Sequence, residues 1–205
     1  MAAKSAVFEE NYNDYCARLA ETDFSRISRI LGIRLENNRL AVPFFQTTCH
    51  VSGDGITDAS GNRPDYITCV ILARYILNCP DEPHNDPDWV SFKDFKKEAA
   101  VLNVNFFTSD TEQAIVKAFS GRFDALENAC QQTGGTPHKA DYPYDLVMQF
   151  TALPQISLLL LFNDKDDEFP AACSVLFNRH AEEYLDPESL AMTSAVLARK
   201  LKKGA

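Results

Sequence analysis

The sequence predicts an α+β fold: a single domain over residues 1–205, with a mainly antiparallel sheet, a central buried helix and a C-terminal helix. Three observations lead there. Helix-like and strand-like stretches fall in separate clusters, without the regular βαβ alternation of a parallel sheet. "PDYITCVILARYILN", 64–78, is apolar around almost its whole circumference, as a helix enclosed by its own domain is. Near the C-terminus, "YDLVMQFTAL" and "QISLLLLFND" form an antiparallel pair around Pro154, and "CSVLF" supplies a third strand.

The elements follow in chain order. Residues 5–20 read as a helix with Val7, Tyr15 and Leu19 on a sparse apolar face. Thr22 or Asp23 caps a short helix, "FSRISRILG", that Gly32 ends. "IRLENNRLAVPFF" reads as a hairpin turning at Asn37-Asn38, with Pro43 at an edge or strand end. "VSGDGITDASGNRP", 51–64, is dense in glycine, serine, aspartate and asparagine and reads as a loop. Pro64 opens the central helix. "CPDEPHNDPD" is a connection, and "WVSFKDF" is a short extended segment that the lone tryptophan anchors. Asp110 with Gln113 reads as a capping box for a helix carrying Ala114, Ile115, Ala118 and Phe119 on one face. A further helix, with Phe123, Leu126 and Cys130 in phase, stops at Gly134-Gly135. Asp186-Pro187-Glu188 opens the last helix with a cap, a first-turn proline and a first-turn acid.

Composition sets the function classes. The chain has 205 residues, 45% hydrophobic and 24% charged, with a net charge of −9 and a pI near 4.9. An acidic chain lacks the basic face that nucleic acid or an anionic membrane requires, so neither is an expected partner. The one basic cluster, Arg199, Lys200, Lys202 and Lys203, complements the negative end of the last helix. With no secretory h-region at its start and no membrane-length apolar run, the sequence reads as cytoplasmic. Six cysteines without close pairing are then expected as thiols, not bridges or zinc ligands, with Cys69 and Cys173 filling core space.

Candidate chemistry concentrates in "DKDDEFPAACSVLF", 164–177. Asp164, Asp166 and Glu168 offer the oxygens a hard cation takes at about 2.3–2.6 Å and are the candidate metal ligands. The same run also reads as a solvated turn between two strands, because charges this dense resist burial. Phe169 is expected to pin that turn to the core. His180, with Glu183 and Tyr184 at i+3 and i+4, is either a ligand or a histidine paired with a carboxylate. His180, Glu168 and Tyr144 form the candidate cofactor-binding set, with Tyr142 as an alternative tyrosine. Cys49 and His50 are adjacent, so a strand would send them to opposite faces, a poor geometry for a thiolate–imidazolium pair. No G-x-S-x-G, H-E-x-x-H, G-x-G-x-x-G or P-loop pattern occurs.

From Trp89 onward the chain resembles a prokaryotic family defined only as a domain of unknown function. The resemblance rests on "WVSFKDF", the phenylalanines before the next helix, "LLLLFNDKDDEFPAACSVLFNRHAEEYL" and the helix after "DPESL". Its specific part is the "DDEFPA…LF…A…YL" block. The 52–64 loop and "PDEPHNDPD" stand as extra length beside that pattern. The resemblance implies a family found mainly in anaerobes, sometimes beside iron–sulfur or corrinoid proteins, and it supplies no mechanism. The expected function is a cytoplasmic binding or accessory module for a protein partner or a small cofactor. The alternative is an enzyme with an acidic, histidine and tyrosine site.

Overall fold

The computed structural model describes residues 2–95, 104–139 and 142–204. Helix α1 (Ala2–Ala20) leads into α2 (Phe24–Leu31). Asp23 accepts the amides of Ser25 (3.0 Å) and Arg26 (3.1 Å), and Gly32 ends α2 at φ 66°, where a Cβ would be strained. Leu19 of α1 is buried and Tyr15 half-buried, but Val7, expected on the same face, is 53% exposed.

Four strands follow as a meander: β1 (Arg34–Glu36), β2 (Arg39–Phe44), β3 (Thr47–Ser52) and β4 (Gly55–Thr57), each antiparallel to the next. Asn37 and Asn38 turn the first hairpin at φ 50° and 59°, the left-handed pair that a two-residue hairpin loop needs. Pro43 sits beyond the part of β2 that β1 flanks, where an amide is dispensable. The stretch 51–64 is only partly the expected loop, since its first half completes β3 and forms β4. Gly53 and Asp54 make the turn, and Val51 pairs with a buried Ile56 across it. Gly53 is required there because a Cβ would lie 2.8 Å from the Ala20 Cα. Strands this short, in glycine-rich sequence, leave little alternation to read.

Helix α3 (Tyr66–Leu77), capped by Asp65, is buried on nearly every side, as the sequence predicted. Its Arg74 binds Asp186 and Glu188, both at 3.0 Å, and so ties α3 to the start of the last helix. The second sheet has the order β5-β9-β8-β7-β6 and is wholly antiparallel. Its strands are β5 (Trp89–Ser91), β6 (Thr136–Pro137), β7 (Leu146–Leu153), β8 (Ile156–Asn163) and β9 (Ala172–Asn178). Central β8 buries Leu158 to Phe162 without a break, so both faces of the sheet are covered there. Each such side chain contributes on the order of 1.5–3 kcal/mol. Trp89 is half-buried and meets the His138 ring edge-on at 5.7 Å.

The expected capping box at Asp110 and Gln113 does not form. The helix already runs through 104–107, and Thr108–Glu112 is a π-helical turn whose i→i+5 pattern carries the Gln113 amide to the Thr108 carbonyl. That turn buries Thr111, whose hydroxyl meets the Ser194 hydroxyl at 2.8 Å, and it directs Glu112 to the Val175 amide (3.0 Å). Helices α4 (Gln113–Phe119), α5 (Phe123–Gln132), α6 (Ala181–Tyr184) and α7 (Pro187–Lys203) complete the fold. Helix α7 starts as predicted, with Asp186 accepting the Ser189 amide (3.0 Å) and Pro187 in the first turn. One apolar core runs through both sheets, α3 and α7. All six cysteines are free thiols; Cys69 is buried and Cys173 half-buried. Among the described residues no helix is long and apolar enough to cross a membrane.

Candidate functional site

The acidic run between β8 and β9 is exposed from Lys165 to Pro170. Its carboxylates bond the backbone beside them. Asp164 Oδ1 accepts the amides of Gly121 (2.6 Å) and Lys165 (2.8 Å). Asp166 Oδ1 accepts those of Phe169 (2.6 Å) and Glu168 (2.8 Å), and these two bonds hold its carboxyl below the usual carboxylate range. This is an aspartate-initiated turn. Phe169, expected to be the core anchor, is 66% exposed: the backbone bonds of Asp166 shape the loop, and the ring is left in water. Among the described residues no group of three or more His, Cys, Asp or Glu could hold a metal ion.

His180 lies at the other end of β9. The Asn178 side-chain amide donates to its Nε2, while Asn178 Oδ1 accepts the Ser157 amide (2.7 Å). Nδ1 faces the backbone of Asp86, 2.9 Å from its amide and 2.8 Å from its carbonyl. Both ring nitrogens therefore tie the 79–88 connection to the sheet, and a ligand at His180 would have to displace one of them. Tyr184, one turn on, does the same: its hydroxyl accepts the His84 amide (2.8 Å) and donates to the His84 carbonyl (3.2 Å). Tyr144 lies near the acidic loop, because the Asp145 amide bonds Asn163 Oδ1 (3.0 Å) and Leu146 pairs with Phe162. The candidate set is thus divided. Tyr144 and Glu168 share one end of the second sheet, and His180 occupies the other.

A different arrangement converges. A cleft of about 450 Å³ opens between β3, the 58–65 loop, the first turn of α3 and the last turns of α7. Helix α7 contributes Arg199, Lys200 and Lys203. Strand β3 contributes Thr47, Thr48 and Cys49, and the loop contributes Asp58 and Ser60. Both carboxylates in the cleft are engaged by backbone amides. Asp58 accepts those of Ser60 (2.8 Å) and Asn62 (2.9 Å), and Asp65 accepts that of Thr68 (3.2 Å). Among the described residues none of the three cations has an ion-pair partner.

Lys200 is the most enclosed of the three. Its Nζ lies 5.5 Å from the centre of the Phe45 ring. Phe45 occupies the β2–β3 turn at φ 51°, a conformation costly for a bulky residue, with its amide bonded to the Ala152 carbonyl at 2.8 Å. Burial, and then the charge of Lys203, push the Lys200 ammonium below the usual lysine range. Burial pushes the Cys49 thiol up, so it is no ready thiolate. The cleft can hold an anion and present one partly desolvated amine to it.

The fold and cleft define an α+β protein with a small cation-lined pocket and no recognisable catalytic triad or metal centre among the described residues. The chain belongs to the family described as Domain of unknown function (DUF3786), whose model matches residues 23–200. No curated protein and no solved structure matches it. The cleft draws on residues 44–68 and 196–203, distant in sequence. The available signal was the C-terminal basic cluster, which a helix dipole also explains.

Proposed function

We propose that the protein is a cytoplasmic binding module for a small anionic ligand, a cofactor or metabolite carrying phosphate or carboxylate, held in the α7–β3 cleft. One observation carries this reading: three cations line a cleft whose two carboxylates are already engaged by backbone amides. In an acidic protein such a local positive field draws small anions selectively. Six free thiols support a reducing compartment. Calorimetric titration with inorganic phosphate tests the reading. Wild type binds, and the Arg199→Ala/Lys203→Ala double variant loses at least about tenfold in affinity, or about 1.4 kcal/mol. Binding that the double variant retains in full, or none by wild type, rejects it.

A further inference from the structure

We propose that the Lys200 amine condenses with the carbonyl of an anionic aldehyde or ketone held in this cleft. The inference rests on the anion-binding reading and adds the chemical class of the ligand. A lysine becomes a nucleophile when it is desolvated or set beside another cation, because either lowers the cost of losing its proton. Lys200 has both: it is half-buried, and Lys203, whose charge acts on it, lines the same cleft. The other charged and titratable groups lining the cleft are Arg199, Asp58, Asp65 and Cys49. The carboxylates are held on backbone amides; Asp65 and Cys49 still act on Lys200 in the opposite sense, but less than burial and Lys203 do. Arg199 and Lys203 are exposed and line the same cleft as Lys200, placed to hold the anionic end of the ligand. Thr48 and Ser60 make no hydrogen bond through their hydroxyls among the described residues, so these remain available to the carbonyl oxygen.

The step balances without a further reagent. The neutral amine attacks the carbonyl carbon and a C–N bond forms. The carbonyl oxygen then departs as water, carrying both amine protons, and leaves an imine that takes up one proton from solvent. Borohydride makes the bond permanent by giving hydride to the imine carbon, while water protonates the nitrogen.

The test is incubation of the full chain with glyoxylate and borohydride, followed by peptide mapping, beside phosphate calorimetry on the same proteins. The expected result is a reduced adduct on Lys200 ahead of Lys202, Lys203 and every other lysine. Lys200→Arg should lose that adduct yet keep phosphate affinity, since the charge remains. Arg199→Ala should weaken both. An adduct spread evenly over the surface lysines, or none, with phosphate still binding in the cleft, overturns the imine and leaves the anion site standing. Absence of both overturns the two readings together.

Discussion

The acidic β8–β9 loop and the cationic α7–β3 cleft are two clusters of opposite charge, and they are built in opposite ways. In the loop, Asp164 and Asp166 accept backbone amides from their own neighbours and from Gly121, so the charges serve the turn that carries them. In the cleft, Arg199, Lys200 and Lys203 come from one helix but face a strand and a loop more than a hundred residues away in sequence, and none has a carboxylate partner among the described residues. Charge density in a sequence therefore says little about function. What matters is whether the fold has already satisfied the charge.

The two regions should also part with pH, and this is the largest expected effect. Burial raises two thiols, Cys69 in the first turn of α3, next to the cleft, to about 11, and Cys130 of α5, in the core, to about 12. Below the unfolded thiol value of about 8.5 both states keep these protons and the stability they contribute is complete. Above it the unfolded chain releases them first, so stability falls as pH rises toward the folded values. By about pH 11, Cys130 alone should withdraw on the order of 2–3 kcal/mol. Urea midpoints at about pH 8 and pH 10.5 should fall in wild type and fall less in Cys130→Ala. Asp166 has the opposite sign. Its folded value is depressed, so its contribution is present above the unfolded carboxyl value and is lost as pH falls through the folded one.

Next in size is the response to cations. If the loop carboxylates are committed to the turn, Ca2+ and Mg2+ bind wild type no tighter than about 10 μM, roughly −7 kcal/mol. Tighter binding that vanishes when Asp164, Asp166 and Asp167 are changed to Asn would make the loop a metal site and reverse the comparison. The smallest effect separates the loop's own residues. Phe169→Ala should leave the urea midpoint within about 0.5 kcal/mol of wild type, because the ring is exposed. Asp166→Ala should lower the midpoint more, because two amides lose their acceptor. The reverse order would mean that the ring, not the carboxylate, organises the turn.

Much of the fold was legible because it rests on local rules. Asp23, Asp186 and Gly32 act as caps where the sequence placed them, Asn37-Asn38 turns a hairpin, and the apolar girth of 64–78 is a buried helix. The strand pair around Pro154 and the solvated turn at 164–168 followed from apolar runs and their polar interruption. The misses came where tertiary contacts override local pattern. Val51 and Ile56 form a hairpin inside a glycine-rich stretch because α1 packs on Gly53. Asp110 fails as a cap because the helix has already begun and relaxes into a π-turn. Phe169 looked like an anchor by residue type, but Asp166 bonds the backbone around it. The cleft was not legible at all, since only the folded chain brings Thr48, Asp65 and Lys200 to one opening.

An amide chemical-shift map of the wild-type protein titrated with inorganic phosphate shows directly whether the cleft or the acidic loop takes the anion. Saturable shifts are expected at 47–49, 58–68 and 196–203, with 164–170 unmoved. Shifts centred on the acidic loop, or none that saturate in the cleft, would contradict anion binding in the cleft.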